Sequence, residues 1–391
     1  MDLKDLQLNA LLEVTQAINN NLPEEDLLKI YKFTLLAGLN IQKLALFTEH
    51  KNKWICRVHF GTEESCENIE LSPELLRLKK EQTVNSKEDF ASQFQIVFPV
   101  HHKDKLLAVV FVSAEDKFLK AKQFLNALTN IILVAIENKK LARKQIDQEA
   151  YEKELEIAKK VQNFLFPKEL PKIEKLQIDA FYLPHRDVGG DYYDYIPIGE
   201  NKFLICIADV SGKGVPAALL MSNFQASLRT LVRHSDRLID IVNELNHTTY
   251  VSGNAENFIT FFAAIYDFNH AALEYINCGH NEIILDTGDQ IKLLNEGTTV
   301  LGMFDPLPFI TTETLENISD FFLFAYTDGL TETFNEENEP FEFDRLKEIL
   351  SSRSDSDRNL HKRIFDQLNE FKGSRNFHDD ITMLSCRVLN Q

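Results

Sequence analysis

Four short stretches in the second half of the sequence set aspartates beside small residues at the ends of apolar runs. They are Gly189-Gly190-Asp191-Tyr192-Tyr193-Asp194, Ala208-Asp209-Val210-Ser211-Gly212-Lys213-Gly214, Tyr326-Thr327-Asp328-Gly329 and His378-Asp379-Asp380-Ile381-Thr382. An Asp where a buried strand ends can aim its carboxylate into a shared cleft, and an adjacent Gly lets backbone or ligand come close. Carboxylates gathered in this way repel one another and raise one another's pKa unless a cation neutralises them. Oxygen ligands with no His or Cys at matching positions favour Mg²⁺ or Mn²⁺ over Zn²⁺. Two such ions a few ångströms apart can activate a shared water toward phosphorus, so the chemistry within reach is hydrolysis of a phosphate ester. Asp-Gly is also a common turn signal, and each stretch alone reads equally as a turn.

The rest of the chain must bring these stretches together. Its 391 residues, 44% of them hydrophobic, are enough for two or three packed cores and exclude disorder throughout. Net charge is −18, with 42 Lys and Arg against 60 Asp and Glu. Residues 1–170 hold 24 basic and 25 acidic side chains, whereas 171–391 hold 18 and 35. This break implies two units with different tasks, and it argues against binding nucleic acid or an anionic membrane surface. Cys56, Cys66, Cys206, Cys278 and Cys386 form no Cys-x-x-Cys pair and read as reduced, packed thiols. No apolar leader opens the sequence, and runs such as 131–136 are too short to span a bilayer, so a cytoplasmic protein without membrane partners is expected.

Helical spacing over 5–20 and 24–37 predicts two opening helices, and apolar runs over 43–48, 53–60, 94–100 and 106–113 predict four antiparallel strands, with another helix from about Asp116. From Lys117 to Phe166 there is neither Gly nor Pro, which predicts one long helix that must stop at Pro167 and Pro171. Near its end Leu155, Ile157, Ala158, Val161, Phe164 and Leu165 form an apolar stripe; the stretch is either a parallel dimer helix or a solvated connector. After Pro171 eight strands are predicted, from 176–182 to 381–389, with helices over 215–234, 238–250, 343–350 and 360–371. Antiparallel strands with helices inserted in pairs predict an α/β sandwich, two sheets covered by helices, so the chain as a whole is α+β.

Taken in order, the motifs resemble the metal-dependent serine/threonine phosphatases of type 2C (the PPM family), in their bacterial SpoIIE/RsbU branch, across 170–390. Those carrying the resemblance are Gly-Gly-Asp-Tyr-Tyr-Asp, Ala-Asp-Val-Ser-Gly-Lys-Gly, Asn-Cys-Gly-His-Asn at 277–281, Thr-Asp-Gly and Asp-Asp-Ile-Thr. The resemblance implies an αββα sandwich over 171–391 holding two Mn²⁺ or Mg²⁺. It implies that Asp209 bridges both ions, that Val210 offers its backbone carbonyl, and that Asp328 and Asp379 complete one ion while Asp191 serves the other. Asp194, Asp380, Gly190 and Gly329 are placed around these ligands, although Asp194 and Asp380 have an equal reading as turn or cap carboxylates. Arg186, five residues before Asp191, matches a phosphate clamp in eukaryotic relatives, or else is a solvated surface side chain.

Residues 5–135 resemble a GAF domain, with Phe98-Pro99-Val100 and 106–112 as its late hairpin; a PAS-type module is the alternative. His59, Trp54 and Cys56 read as ordinary strand residues rather than a haem or metal pocket. The predicted organisation is a GAF-like sensor over 1–135, a coiled linker helix over 136–170, and a phosphatase domain over 171–391. The resemblance implies a phosphorylated STAS-domain anti-sigma-factor antagonist as substrate and partner, an unidentified GAF ligand, and a homodimer. A non-catalytic scaffold and a phosphatase of small molecules are the competing functions. Ser211 lies outside any Gly-x-Ser-x-Gly elbow, Gly212-Lys213-Gly214 is not a P-loop, and His280 reads as a structural turn residue rather than a base.

Overall fold

The computed structural model describes residues 3–38, 41–51, 53–62, 66, 69–84, 90–114, 118–253, 257–353 and 359–389. They divide into two compact units, Met1–Ala150 and Tyr151–Gln391. Asp116 and Lys117, the expected helix start, lie outside the described residues.

In the first unit α1 (Leu3–Asn19) and α2 (Glu24–Gly38) precede β1 (Ile41–His50), β2 (Lys53–Phe60), β3 (Gln82–Thr83), β4 (Ile96–His102) and β5 (Lys105–Ala114). The sheet order is β2-β1-β5-β4-β3, so a two-residue strand too short to carry a periodic signal adds a fifth member to the four predicted. One face packs on the helices through Leu44, Leu46, Val110 and Val112, with Leu125, Leu128 and Ile132 of α3 (Phe118–Asn163). The other face is filled by Phe47, Phe94 and Phe111, with Trp54, Cys56 and Phe90 packed against them. Trp54 and Cys56 are thus packing residues, as their strand setting predicts.

The second unit comprises β6 (Lys172–Ile173), β7 (Leu176–Leu183), β8 (Tyr192–Ile198), β9 (Lys202–Val210), α4 (Val215–Val232), α5 (Leu238–Gly253), β10 (Ile259–Asp267), β11 (Ala272–Cys278), β12 (Ile283–Asp286), β13 (Ile291–Leu294), β14 (Gly297–Thr298), β15 (Glu313–Leu315), β16 (Phe321–Tyr326), α6 (Asp328–Thr331), α7 (Glu342–Ser351), α8 (Leu360–Lys372) and β17 (Ile381–Val388). Two six-stranded sheets result, one ordered β14-β11-β10-β9-β8 with β15 on β11, the other β13-β12-β16-β17-β7-β6.

Strand alternation decides the layers, because successive side chains point to opposite faces. On β9, Leu204, Cys206 and Ala208 join α4 and α5 in one core, while Phe203, Ile205 and Ile207 face the other sheet. On β16, Leu323 and Ala325 fill the space between the sheets, whereas Phe322, Phe324 and Tyr326 pack under α7 and α8. The result is the predicted αββα sandwich.

The same alternation sends Asp194 away from the slot between the sheets. Lying on β8 beside Tyr192, which packs in the α4–α5 core, it is fully buried and meets Arg229 of α4 in a bidentate pair at 2.7 and 2.9 Å. It also accepts the Tyr192 hydroxyl and, at 2.8 Å, the Tyr195 amide. Truncating Arg229 strands this carboxylate. Arg229→Met is expected to lower stability by about 2–3 kcal/mol, below the range for fully buried pairs because the guanidinium is part exposed, with chemical denaturation as the measurement.

Candidate metal and active site

Asp209, the last residue but one of β9, lies on the face shared by Phe203, Ile205 and Ile207, so its carboxylate enters one end of the slot between the sheets. Asp191 immediately precedes β8 and is 1% exposed. Opposite them, Thr327 and Asp328 follow β16, and Asp379 and Asp380 precede β17. The strand ends from both sheets therefore deliver all four motif stretches to one place.

Close backbone approach makes this possible. A Cβ at Gly190 would stand 2.8 Å from the Val210 carbonyl, and one at Gly329 only 2.0 Å from the Asp380 carbonyl. Glycine is required at both positions because any side chain would push ligand-bearing segments apart.

Two threonines hold Asp191. Thr327 Oγ1 donates to its Oδ2 at 2.7 Å and Thr382 Oγ1 donates to the same atom at 2.5 Å, while the Thr382 amide donates to Thr327 Oγ1 at 2.9 Å. Asp380 lies beneath the preceding loop, accepting the His185 amide on Oδ1 and the Gly190 amide on Oδ2, each at 2.7 Å. Lys213 donates to Asp379 Oδ2 at 2.7 Å and to the His378 carbonyl at 2.5 Å. Thr327, Thr382 and Lys213 sit inside the motifs, yet their roles were not legible there, since only the crossing of two sheets shows which carboxylate each meets.

The electrostatics follow from crowding. Burial, then the charges of Asp328 and Asp379, push the Asp209 carboxyl up to about 7, partly offset by a hydrogen bond from Asp191. Burial, then the charges of Asp209 and Asp380, hold Asp191 well above the carboxylate range against the two threonine hydroxyls. Asp328 is raised to about 6 by burial, Glu332 and Asp379, and Asp380 is raised chiefly by burial. Among the described residues no three His, Cys, Asp or Glu side chains close around one point as a cation cage. The carboxylates instead border a slot and bond to protein groups. Their chemistry nonetheless suits a divalent ion: all-oxygen donors, buried or half-buried and mutually repelling, with the Val210 carbonyl alongside and the Tyr182 hydroxyl buried without a hydrogen-bond partner.

Other residues settle into simpler places. Ser211 Oγ accepts the Phe258 amide at 2.9 Å and acts as a loop fastener. His280 is half-buried, with Nδ1 2.7 Å from Thr260 Oγ1 and Nε2 3.1 Å from the Tyr326 carbonyl; desolvation lowers its pKa to about 4, so the neutral ring ties β10 to the end of β16. Thr260 pairs with Asp209 across the strands, which puts this tie beside the cluster. Arg186 is exposed, its Nη1 4.0 Å from the Cβ position of Gly214, and so leans over the Gly-Lys-Gly loop at the mouth of the slot.

Comparison with known proteins places this geometry. Residues 199–389 match the family described as Stage II sporulation protein E (SpoIIE). Protein IcfG of Synechocystis sp. is 30% identical over 262 residues, covering 59% of this chain and 41% of IcfG. Phosphoserine phosphatase RsbU of Bacillus subtilis is 28% identical, covering 61% of this chain and 71% of RsbU; for the phosphoserine phosphatase RsbP of the same organism the figures are 28%, 58% and 56%. The chain thus spans less than two thirds of the length of IcfG and of RsbP. Among solved structures, the SiaA-PP2C domain of Pseudomonas aeruginosa superposes with a TM-score of 0.55 at 19% identity, covering 62% of this chain and 98% of that domain, a likeness of fold. No helix among the described residues is long and apolar enough to cross a membrane.

The raised Asp209 pKa carries a sign. The folded metal-free protein holds a proton there up to about pH 7, whereas the unfolded chain releases it near pH 4, so this contribution to stability is lost as pH rises between them. In EDTA the melting temperature is expected to fall from pH 5 to pH 8, and Asp209→Asn to flatten that fall and to melt higher than the parent at pH 8. Scanning calorimetry of both proteins across that range is the check.

Proposed function

We propose, from the match of residues 199–389 to the SpoIIE family and the site they form, that this protein hydrolyses phosphoserine or phosphothreonine on a protein substrate with divalent metal ions as cofactors. The observation that carries the reading is the convergence of Asp191, Asp209, Asp328, Asp379 and Asp380 from four segments, with burial and mutual charge raising Asp191, Asp209, Asp328 and Asp380. Asp209, the Val210 carbonyl, Asp328, Asp379 and Asp191 are the residues that would hold two Mn²⁺ or Mg²⁺. When bound, these ions neutralise the cluster and supply an activated water to the phosphorus atom.

The chain's own residues do the rest. Thr327 and Thr382 fix the orientation of Asp191, and Asp380 fixes the loop that carries it. Arg186, exposed at the slot's mouth, is assigned to the substrate phosphate through its planar fork.

The substrate is assigned as a phosphorylated STAS-domain anti-sigma-factor antagonist, on the strength of the motif resemblance to the SpoIIE/RsbU branch. Residues 1–135 are assigned as a GAF-like sensor and 136–170 as a linker through which two copies associate. Support for association comes from Ile157, Val161 and Phe164, spaced four and three residues apart and exposed at 61, 56 and 71%.

The deciding experiment assays the full chain on a phosphoserine STAS protein with Mn²⁺. Activity is expected to vanish in EDTA, and Asp209→Asn to lower kcat about a thousandfold or more, the scale of lost metal-based charge stabilisation; undiminished activity in either case refutes the metal assignment. In the same assay Arg186→Ala is expected to lower kcat/KM about ten- to a hundredfold, as for loss of a charge-assisted hydrogen bond.

A further inference from the structure

The last turn of α3 points two ways. Val161 and Phe164 are exposed, yet Gln162 between them is 95% removed from solvent. Its carboxamide grips a single residue: Nε2 donates to the Gly189 carbonyl at 2.7 Å, and Oε1 accepts the Gly189 amide at 3.2 Å. Gly189 lies outside every strand and has no ladder partner for either group, so the glutamine does for it what a neighbouring strand would do. Only glycine fits at this position, because a Cβ at Gly189 would stand 2.1 Å from Asp380 Oδ2 and 2.4 Å from the Tyr182 hydroxyl. The residues after the helix reinforce the grip. The Phe166 ring packs at a tilt against Tyr182 and Tyr193, with centroids 4.8 and 5.0 Å away, and Gln225 of α4 donates to the Leu165 carbonyl at 3.1 Å.

Asp191 follows two residues later, and its buried carboxylate can meet Asp209 only if the intervening peptides are fixed. Asp380 fixes one side of this loop through the Gly190 amide, and Gln162 fixes the other. We propose that Gln162 is a positioning residue for the metal centre: by holding both polar groups of Gly189 it sets the placement of Asp191, and the end of the long helix is thereby a working part of the site. The inference rests on the metal-dependent reading above.

Direct Mn²⁺ binding to the full chain, by titration calorimetry or by electron paramagnetic resonance of free Mn²⁺, tests it without recourse to turnover. Gln162→Met keeps the volume and removes both bonds. It is expected to weaken Mn²⁺ binding about ten- to a hundredfold, the usual cost of losing a group that orients a ligand, and to speed hydrogen exchange of the 185–191 segment in EDTA. Ile364→Val, on the buried face of α8 and far along the sequence from this loop, calibrates what general destabilisation does. Gln162→Leu serves if the methionine variant fails to fold. An unchanged Mn²⁺ isotherm in a folded Gln162 variant, or equal weakening by Ile364→Val at matched melting temperature, overturns the positioning role. A parent protein that binds no Mn²⁺ overturns the metal reading and this inference together, whereas normal Mn²⁺ binding by both parent and variant overturns this inference alone.

Discussion

The mutual repulsion of buried and half-buried carboxylates at one end of the sandwich is the constraint on which the rest of the second unit depends. Like charges that share a desolvated slot cannot all ionise without compensation, and burial heads the causes raising Asp191, Asp209, Asp328 and Asp380. Such an arrangement persists only when the surrounding fold is stiff enough to hold it. Two six-stranded sheets with helices on both outer faces provide that stiffness, and the hydroxyls of Thr327 and Thr382 and the ammonium of Lys213 hold individual carboxylates in place.

Strand alternation connects this electrostatic problem to the hydrophobic core. Phe203, Ile205 and Ile207 fill the space between the sheets, and Asp209 is the next residue on that face, so the register that buries the core also aims the carboxylate. Asp194 shows the converse. Three residues from Asp191 on an extended chain, it must face the other way, and there it ties β8 to α4 through Arg229. One aspartate of the Gly-Gly-Asp-Tyr-Tyr-Asp stretch thus borders the candidate metal site, and the other locks the helical layer.

Much of this was legible in the sequence. The long strands and helices of both units fall within a few residues of the apolar runs that predict them, because period-two and helical spacing are recorded directly in residue order. The short pieces were not. Gln82–Thr83, Lys172–Ile173 and Gly297–Thr298 are two residues each, and nothing periodic can be written in two residues. Near the site, the aspartates and glycines stood out as motifs, whereas Gln162 did not. It reads as one more polar residue late in a polar helix, and its importance comes entirely from Gly189, 27 positions away.

The sequence by itself determined which side chains are candidates for the chemistry and the order in which strands and helices present them, since residue type and local spacing depend only on neighbours along the chain. Only the tertiary structure decided which carboxylates share a slot, that Asp194 belongs to the opposite face, that Ser211 and His280 fasten loops, and that the last turn of a long helix reaches the peptide before Asp191. Those outcomes depend on which strands pair and which faces pack. They are set by burying the apolar face of every element at once, so no single stretch of sequence contains them.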